Sequence, residues 1–356
     1  MPGNVIYVAS PWEMSGKSTV IMSLAMKAME MGRKVGYFKP VGVASRVGSK
    51  GELVDEDVET MKDILGLENE AGLLCPVVLE KYEFLHNYDL TGVQGCRDRV
   101  LKAFRDISEG KDLLLVEGPN SLSVGYFLGC QVTELAAEFN ARLLLVSRVR
   151  DDFFLDELLM AKDYCERSGV LPFGVILNRV SGEDAGKMEK IVRPYLEKVG
   201  LDLLGAIPNN EVLAALRVRE IHESIGGKLL AGRDGMDNLV QTVLVGAMSM
   251  ESAVRYFRKS MNSLVIVGGD RTDIASAALE TRCSAIVLTG NIHPSVKILP
   301  RADELNIPII LVPHDTYSTL QAVQRIVGKI KPGDRMRIEL ARKLFEENVR
   351  WEKILG

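Results

Sequence analysis

The alternation of two kinds of segment constrains this chain more than any other feature. Short runs rich in Val, Ile and Leu (NVIYVAS, KVGYF, DLLLVEG, ARLLLVS, FGVILN and LLGAI) alternate with amphipathic stretches over 17–31, 55–65, 93–108, 131–139, 152–168 and 183–198. A strand buried on both faces reads as a continuous apolar run, and a helix covering it shows one apolar stripe. The order therefore predicts an α/β fold of repeated β-α units, a parallel sheet covered on both faces by helices. With 356 residues the chain is too long for one core, which implies two domains. After Pro208 the pattern pauses in a mixed, glycine-containing stretch, and a boundary is expected near residue 214, giving a first domain over 1–214. TVLVGAM, SLVIVGGD, SAIVLTGN and IPIILVP then alternate with helical patterns at 250–259, 272–281, 295–305 and 316–328, a second and smaller α/β unit over 215–328. The remainder, 329–356, reads as one amphipathic helix beginning after Gly333, suited to pack on the second domain or on a neighbouring subunit. SRVGSKGE, within 45–54, is polar and glycine-rich and is expected to be a mobile loop.

Charge narrows the partners. With 44 basic against 48 acidic residues, the net charge of −4 gives no electrostatic reason for binding nucleic acid or an anionic membrane. Small molecules fit better. Cys75, Cys96, Cys130, Cys165 and Cys283 are odd in number, widely spaced and without a CxxC pair, which predicts reduced thiols rather than disulfides or a zinc site. No apolar run approaches the roughly 20 residues of a membrane helix, and the first residues lack a signal-peptide pattern. A cytoplasmic protein is the expectation. His86, His222, His293 and His314 lie in unrelated contexts and read as structural.

Residues 9–19, ASPWEMSGKST, carry the chemistry. A strand, a short loop and GKST opening a helix place unpaired helix amides and the positive end of the helix dipole opposite an anion, as phosphate-binding loops do. Lys17 would sit against the β- and γ-phosphates, Ser18 would offer its hydroxyl to Mg²⁺, and Ser15, Gly16 and Thr19 complete the nucleotide-binding set. Pro11 stands five residues before Gly16, where the general pattern has glycine. Lys39, in GYFKPVG, follows the second strand and is placed for a substrate carboxylate or phosphate, unless it is only a solvated strand-end lysine. Glu117, in LLLVEGPN, leaves a buried strand where an acid can hold Mg²⁺ or its water. Asp55 and Asp57, at a helix start, offer a further magnesium contact or simple N-terminal caps, and Asp57 is the preferred metal residue.

Taken in order over about 210 residues, SGKS, FKPVG, EDV, VEG, GVILNRV and LLGAIP resemble dethiobiotin synthetase and the similar N-terminal domain of long phosphate acetyltransferases. The resemblance implies a P-loop domain that binds ATP and Mg²⁺ and pairs as a homodimer. It implies that Lys17 and Ser18 hold phosphates and metal, Asp57 and Glu117 complete the metal site, and Lys39 faces the acceptor. It also implies that Asn178 recognises adenine while Pro208 and its neighbours close over the base. Dethiobiotin synthetase has GTDT and VEGAGG where this chain has SPWE and VEGPNS, so dethiobiotin formation itself is not expected.

The second domain resembles the DRTGG module through VGAMS at 245–249, GGDRTDI at 268–274, LTGN at 288–291 and HDTYST at 314–319. Asp270, Arg271 and Thr272 follow a buried strand and a glycine pair. They suit a ligand clamp, or an Asp-Arg ion pair fixing a turn or a subunit contact. Asn291 takes the place of the motif's last glycine. This pairing of domains precedes the catalytic domain of long phosphate acetyltransferases, and acetyl transfer is not expected of these 356 residues. Two functions remain open. One is a nucleotide-dependent sensor or regulator that reads ATP and an unidentified small molecule. The other is an ATP-dependent ligase, in which Lys17 and Lys39 serve the chemistry of carboxylate or carbamate activation.

Overall fold

In the computed structural model the described residues are 4–47, 52–80, 85, 90–281, 283–324, 326, 328, 330, 331 and 333–356. His86 and positions 48–51 of the expected loop lie outside them. Two units separate, Met1–Asn209 with Ile330–Gly356, and Asn210–Lys329.

The first unit is built on six strands: β1 (Val5–Ala9), β2 (Val35–Phe38), β3 (Leu113–Glu117), β4 (Arg142–Arg148), β5 (Pro172–Val180) and β6 (Leu203–Pro208). Their spatial order is β6-β5-β4-β1-β3-β2. Every neighbouring pair is parallel. β1 and β3 are buried at every residue, as the continuous apolar runs require. The covering helices include α1 (Lys17–Glu30), α2 (Glu56–Ile64), α3 (Leu90–Ser108), α4 (Val132–Glu138) and α5 (Phe154–Arg167). Phe104 of α3 and Phe139 after α4 stack at 3.8 Å, and Phe38 of β2 meets both rings edgewise or tilted at 6.1 Å. The chain moves to β3 and β2 on one side of β1 and to β4, β5 and β6 on the other. That reversal opens a crevice at the carboxyl end of β1. At the edges of the segment expected to be a mobile loop, Arg46–Val47 pairs antiparallel with Leu53–Val54, a two-residue ladder that composition does not announce.

The second unit carries β7 (Lys228–Ala231), β8 (Thr242–Val245), β9 (Ser263–Gly268), β10 (Cys283–Thr289) and β11 (Ile309–Leu311), in the order β7-β11-β10-β9-β8. Four strands are parallel and β7 joins the edge antiparallel to β11. α6 (Val218–Ile225), α7 (Met250–Phe257), α8 (Thr272–Leu279), α9 (Ile298–Leu305) and α10 (Thr316–Gln324) pack on it.

The chain then returns to the first unit as α11 (Arg335–Asn348) and α12 (Trp351–Leu355). The expected single helix is therefore two, and it lies on the first unit rather than on the second. α11 packs on α1 and β6, burying Ala341 and Phe345. The helix breaks because Val349 pairs antiparallel with Gly205 of the edge strand and the Arg350 amide donates to the Leu204 carbonyl at 2.8 Å. Only glycine admits this approach, since a Cβ at 205 would lie 2.4 Å from the Asn348 carbonyl oxygen. The Arg33 guanidinium donates to the Leu355 and Gly356 carbonyls at 2.6 and 2.7 Å.

All five cysteines are buried free thiols. No helix among the described residues is long and apolar enough to cross a membrane.

Candidate nucleotide-binding site

The loop between β1 and α1 is shaped by two left-handed residues, Met14 at φ 59° and Gly16 at φ 92°. The Ser15 hydroxyl donates to the Trp12 carbonyl at 2.8 Å and is itself buried. α1 begins at Lys17 with no side-chain cap and no acid in its first turn, which leaves its amino end bare of competing carboxylates. Thr19 follows within α1, its carbonyl taking the Ser23 hydroxyl at 2.9 Å.

The Lys17 ammonium is buried and donates to Ser10 Oγ at 2.7 Å and to the Asn120 carbonyl at 3.3 Å, with no carboxylate of the described residues in direct contact. Burial pushes it down to about 8. The Ser18 hydroxyl donates to Glu117 Oε1 at 2.7 Å, and the Tyr37 hydroxyl donates to Oε2 at 2.8 Å. Glu117 is buried, and that desolvation raises its carboxyl above the ordinary range against the pull of Lys39. The same burial, with Glu117 and the two aspartates nearby, raises Tyr37.

Lys39 is 1% exposed and bonded to both Asp55 and Asp57 at 2.9 Å. Burial alone would lower it, but Asp57, Glu117 and Asp55 together hold it well above its usual range. Asp55 also caps α2, accepting from the Asp57 amide at 3.0 Å, and accepts from the Val43 amide at 3.0 Å. In this state Lys39 is neither solvated nor open. Among the described residues no group of three or more His, Cys, Asp or Glu could hold a metal ion by itself.

Asn178, near the end of β5, donates from Nδ2 to the Ser15 carbonyl at 3.0 Å and accepts at Oδ1 from the Arg179 amide at 2.9 Å. A Cβ on Gly16 would lie 1.9 Å from Asn178 Nδ2, so loop and strand end are fitted to one another. Pro208 is the last residue of β6, opposite Val180 of β5. Lys17, Glu117 and Lys39, all buried, and the half-buried Ser18 and Asp57 thus make up one polar cluster, with Asn178 joined to it through the loop.

Sequence reasoning missed Tyr37, Ser10 and Asn120. Tyr37 had a legible signal, since it stands two residues before Lys39 and alternate residues of a strand share a face. The Asn120 contact is made by its carbonyl, which side-chain chemistry cannot announce.

In the second unit, of the two readings of Asp270 and Arg271, the ion pair between them is not the one formed. Arg271 pairs instead with Asp273 at 3.0 Å and donates to the Met248 carbonyl at 3.1 Å. Asp270 is exposed. Thr272 opens α8, and its hydroxyl accepts from the Ser295 amide at 3.2 Å.

Residues 4–217 match the model of an AAA domain, which covers more than half of the chain. The chain belongs to the AAA domain family. Residues 220–326 match the DRTGG domain. A phosphate acetyltransferase of Synechocystis sp. is 26% identical over 99% of this chain and 51% of its own length. An ATP-dependent dethiobiotin synthetase of Methanocaldococcus jannaschii is 25% identical over 55% of this chain and 90% of its own. The chain spans about half the length of the phosphate acetyltransferases it matches. Among solved structures, the CBS and DRTGG domains of a Clostridium perfringens pyrophosphatase, complexed with diadenosine tetraphosphate, align over 45% of this chain and 78% of that one, at 22% identity and a TM-score of 0.30. A P-loop AAA domain followed by a DRTGG domain is thus the organisation of this chain.

Proposed function

We infer that the AAA domain binds ATP with Mg²⁺ and that the protein is a nucleotide-dependent sensor or regulator acting through its DRTGG domain. The observation that carries this reading is the Ser18–Glu117–Tyr37 triad, bonded at 2.7 and 2.8 Å beside a buried lysine whose ammonium donates to Ser10 and the Asn120 carbonyl. Among the described residues the buried Glu117 carboxylate is held by hydroxyl donors, an oxygen set that suits a cation, and a buried ammonium at a bare helix amino end suits an anion. Lys17 would meet the phosphates. Ser18 would ligate Mg²⁺, with Glu117 on the ion or its water. Magnesium supplies charge neutralisation between the phosphates when bound. Asn178 would offer adenine its second N–H and its remaining carbonyl lone pair, and Pro208 would lie against the base.

The ligase reading has its own support in Lys39. Asp55 and Asp57 hold it, and with Asp57 engaged at a metal site Lys39 would face the γ-phosphate and an acceptor. The altered segments SPWE and VEGPNS, where dethiobiotin synthetase has GTDT and VEGAGG, favour the sensor. Calorimetry of ATP and GTP with and without Mg²⁺ tests binding and the Asn178 assignment together. Absence of heat with Mg²⁺–ATP removes both readings, and equal affinity for GTP removes the role of Asn178. Phosphate release stimulated by a carboxylate would make the protein a ligase.

A further inference from the structure

Two arginines at the strand ends of the first unit have no hydrogen-bond or ion-pair partner for their side chains among the described residues. Arg148 ends β4 and Arg179 is the penultimate residue of β5. In the parallel ladder Arg148 stands opposite Asn178, the residue before Arg179, and Asn178 bonds the phosphate loop at Ser15, so the two arginines lie at adjacent strand ends beside that loop. Both arginines are half-buried. Arg148 Nε is shut off from solvent without a hydrogen-bond acceptor. Neither guanidinium meets a carboxylate among the described residues. Flanking acids are engaged elsewhere: Glu157 with Arg150 at 2.7 Å, Asp152 with Lys187 at 2.6 Å, and Asp184 with Lys187 at 3.1 Å.

A guanidinium taken from water without compensation is costly, and two neighbouring ones repel. Burial, with Arg148 beside it, pushes Arg179 down to about 10, and burial with Arg150 lowers Arg148. Arg179 also sits at φ 58°, a left-handed conformation uncommon outside glycine. Backbone strain and stranded charge at one strand end are features that a ligand offsets. The planar guanidinium fork matches an oxyanion bidentately.

We propose that Arg148 and Arg179 form an anion site beside the phosphate loop and separate from Lys17, which takes a phosphate or carboxylate group of a ligand. The anion belongs either to a ribose-borne phosphate of the nucleotide itself or to a second small molecule bound beside it. The site stands or falls independently of ATP binding, because its probes need no nucleotide.

The test measures thermal stabilisation of the full chain by inorganic phosphate and by succinate. Wild type and Lys17→Ala should both be stabilised, whereas Arg148→Met and Arg179→Gln should lose the response. Arg148→Met should also melt higher than wild type without ligand, since it removes a stranded charge while keeping the apolar stem; a merely structural arginine would give the opposite. A response to phosphate that vanishes in Lys17→Ala and persists in both arginine variants would overturn the proposal. So would a lower melting temperature of Arg148→Met with an unchanged anion response. The source is read from AMP against adenosine 3′,5′-bisphosphate. A gain of tenfold or more for the bisphosphate, lost in Arg148→Met, puts the anion on the nucleotide, and succinate binding additively with AMP puts it on a second ligand.

Discussion

The carboxyl ends of the two sheets carry similar residue types in opposite surroundings. At the first sheet Lys17, Lys39, Asp55 and Glu117 are all less than a tenth exposed. At the second, Arg271 and Asp273 pair at the surface and Asp315 caps α10 in the open, accepting from the Tyr317 and Ser318 amides at 2.8 and 3.0 Å. Buried charges must be compensated with close geometry, whereas exposed ones are already compensated by water. The first set is therefore held in close geometry by burial, and the charges of the second pair within their own loops in contact with water. The same strand-end position thus carries charge of two kinds, one that burial fixes and one that water shares.

The comparison breaks most directly at Lys17. Lys17→Ala should lower ATP affinity by about 100-fold or more, as loss of charge-assisted bonds to phosphate implies. Its pH dependence sharpens the point. With the folded lysine at about 8, against the ordinary 10.5, ATP affinity should fall as pH rises through about 8 and binding should take up protons there, read by calorimetry in buffers of different ionisation enthalpy. The linked stability has the matching sign. The unfolded chain holds this proton more tightly, so the contribution of Lys17 to stability rises as pH climbs from about 8 toward 10.5. ATP binding indifferent to pH across that window would place Lys17 away from the phosphates.

Gly16→Ala should approach the same loss, since the new methyl meets Asn178 at 1.9 Å and the backbone stays at φ 92°. Adding Asn178→Ala relieves the contact but leaves the strained φ, so the double variant should recover melting temperature in part while binding stays weak. Full recovery of binding would show that the loop needs space and not glycine. Glu117→Gln should melt at or above wild type at neutral pH, because a desolvated charge is removed, yet lose the gain in ATP affinity that Mg²⁺ provides. The smallest effect belongs to the other unit. Arg271→Ala should leave the melting temperature unchanged within scatter, and a clear drop would show that its exposed pair with Asp273 is structural after all.

What was legible in the sequence follows the same division between local and distant causes. The first sheet's strands and its phosphate loop were readable because each is written in consecutive residues, and Gly16, Lys17 and Ser18 stand within three positions. The Lys39–Asp55 pair spans sixteen positions and depends on α2 returning to β2, which no local pattern encodes. β7 was missed because Lys228–Ala231 is a four-residue edge strand with an exposed first residue. α6 was missed because VREIHESI lies in a stretch of mixed polarity. The pattern over 183–198 read as one helix, where a π-helical turn at Met188–Val192 interrupts it. The break at Val349 has no glycine or proline to mark it and exists only because β6 is there to receive it.

That pairing of Val349 with Gly205 makes the AAA domain discontinuous in sequence. Its sheet edge is finished by residues synthesised some 140 positions later, after the whole DRTGG domain, so the nascent domain exposes the edge of β6 until then. Cutting the chain near residue 214 would not isolate a domain but would open one, leaving β6 bare and the Arg33 and Arg142 guanidiniums without the carbonyls they hold. The faithful dissection is an excision: removing 210–329 and joining the flanks with a flexible linker keeps the closing strap, and it asks what the AAA domain does alone.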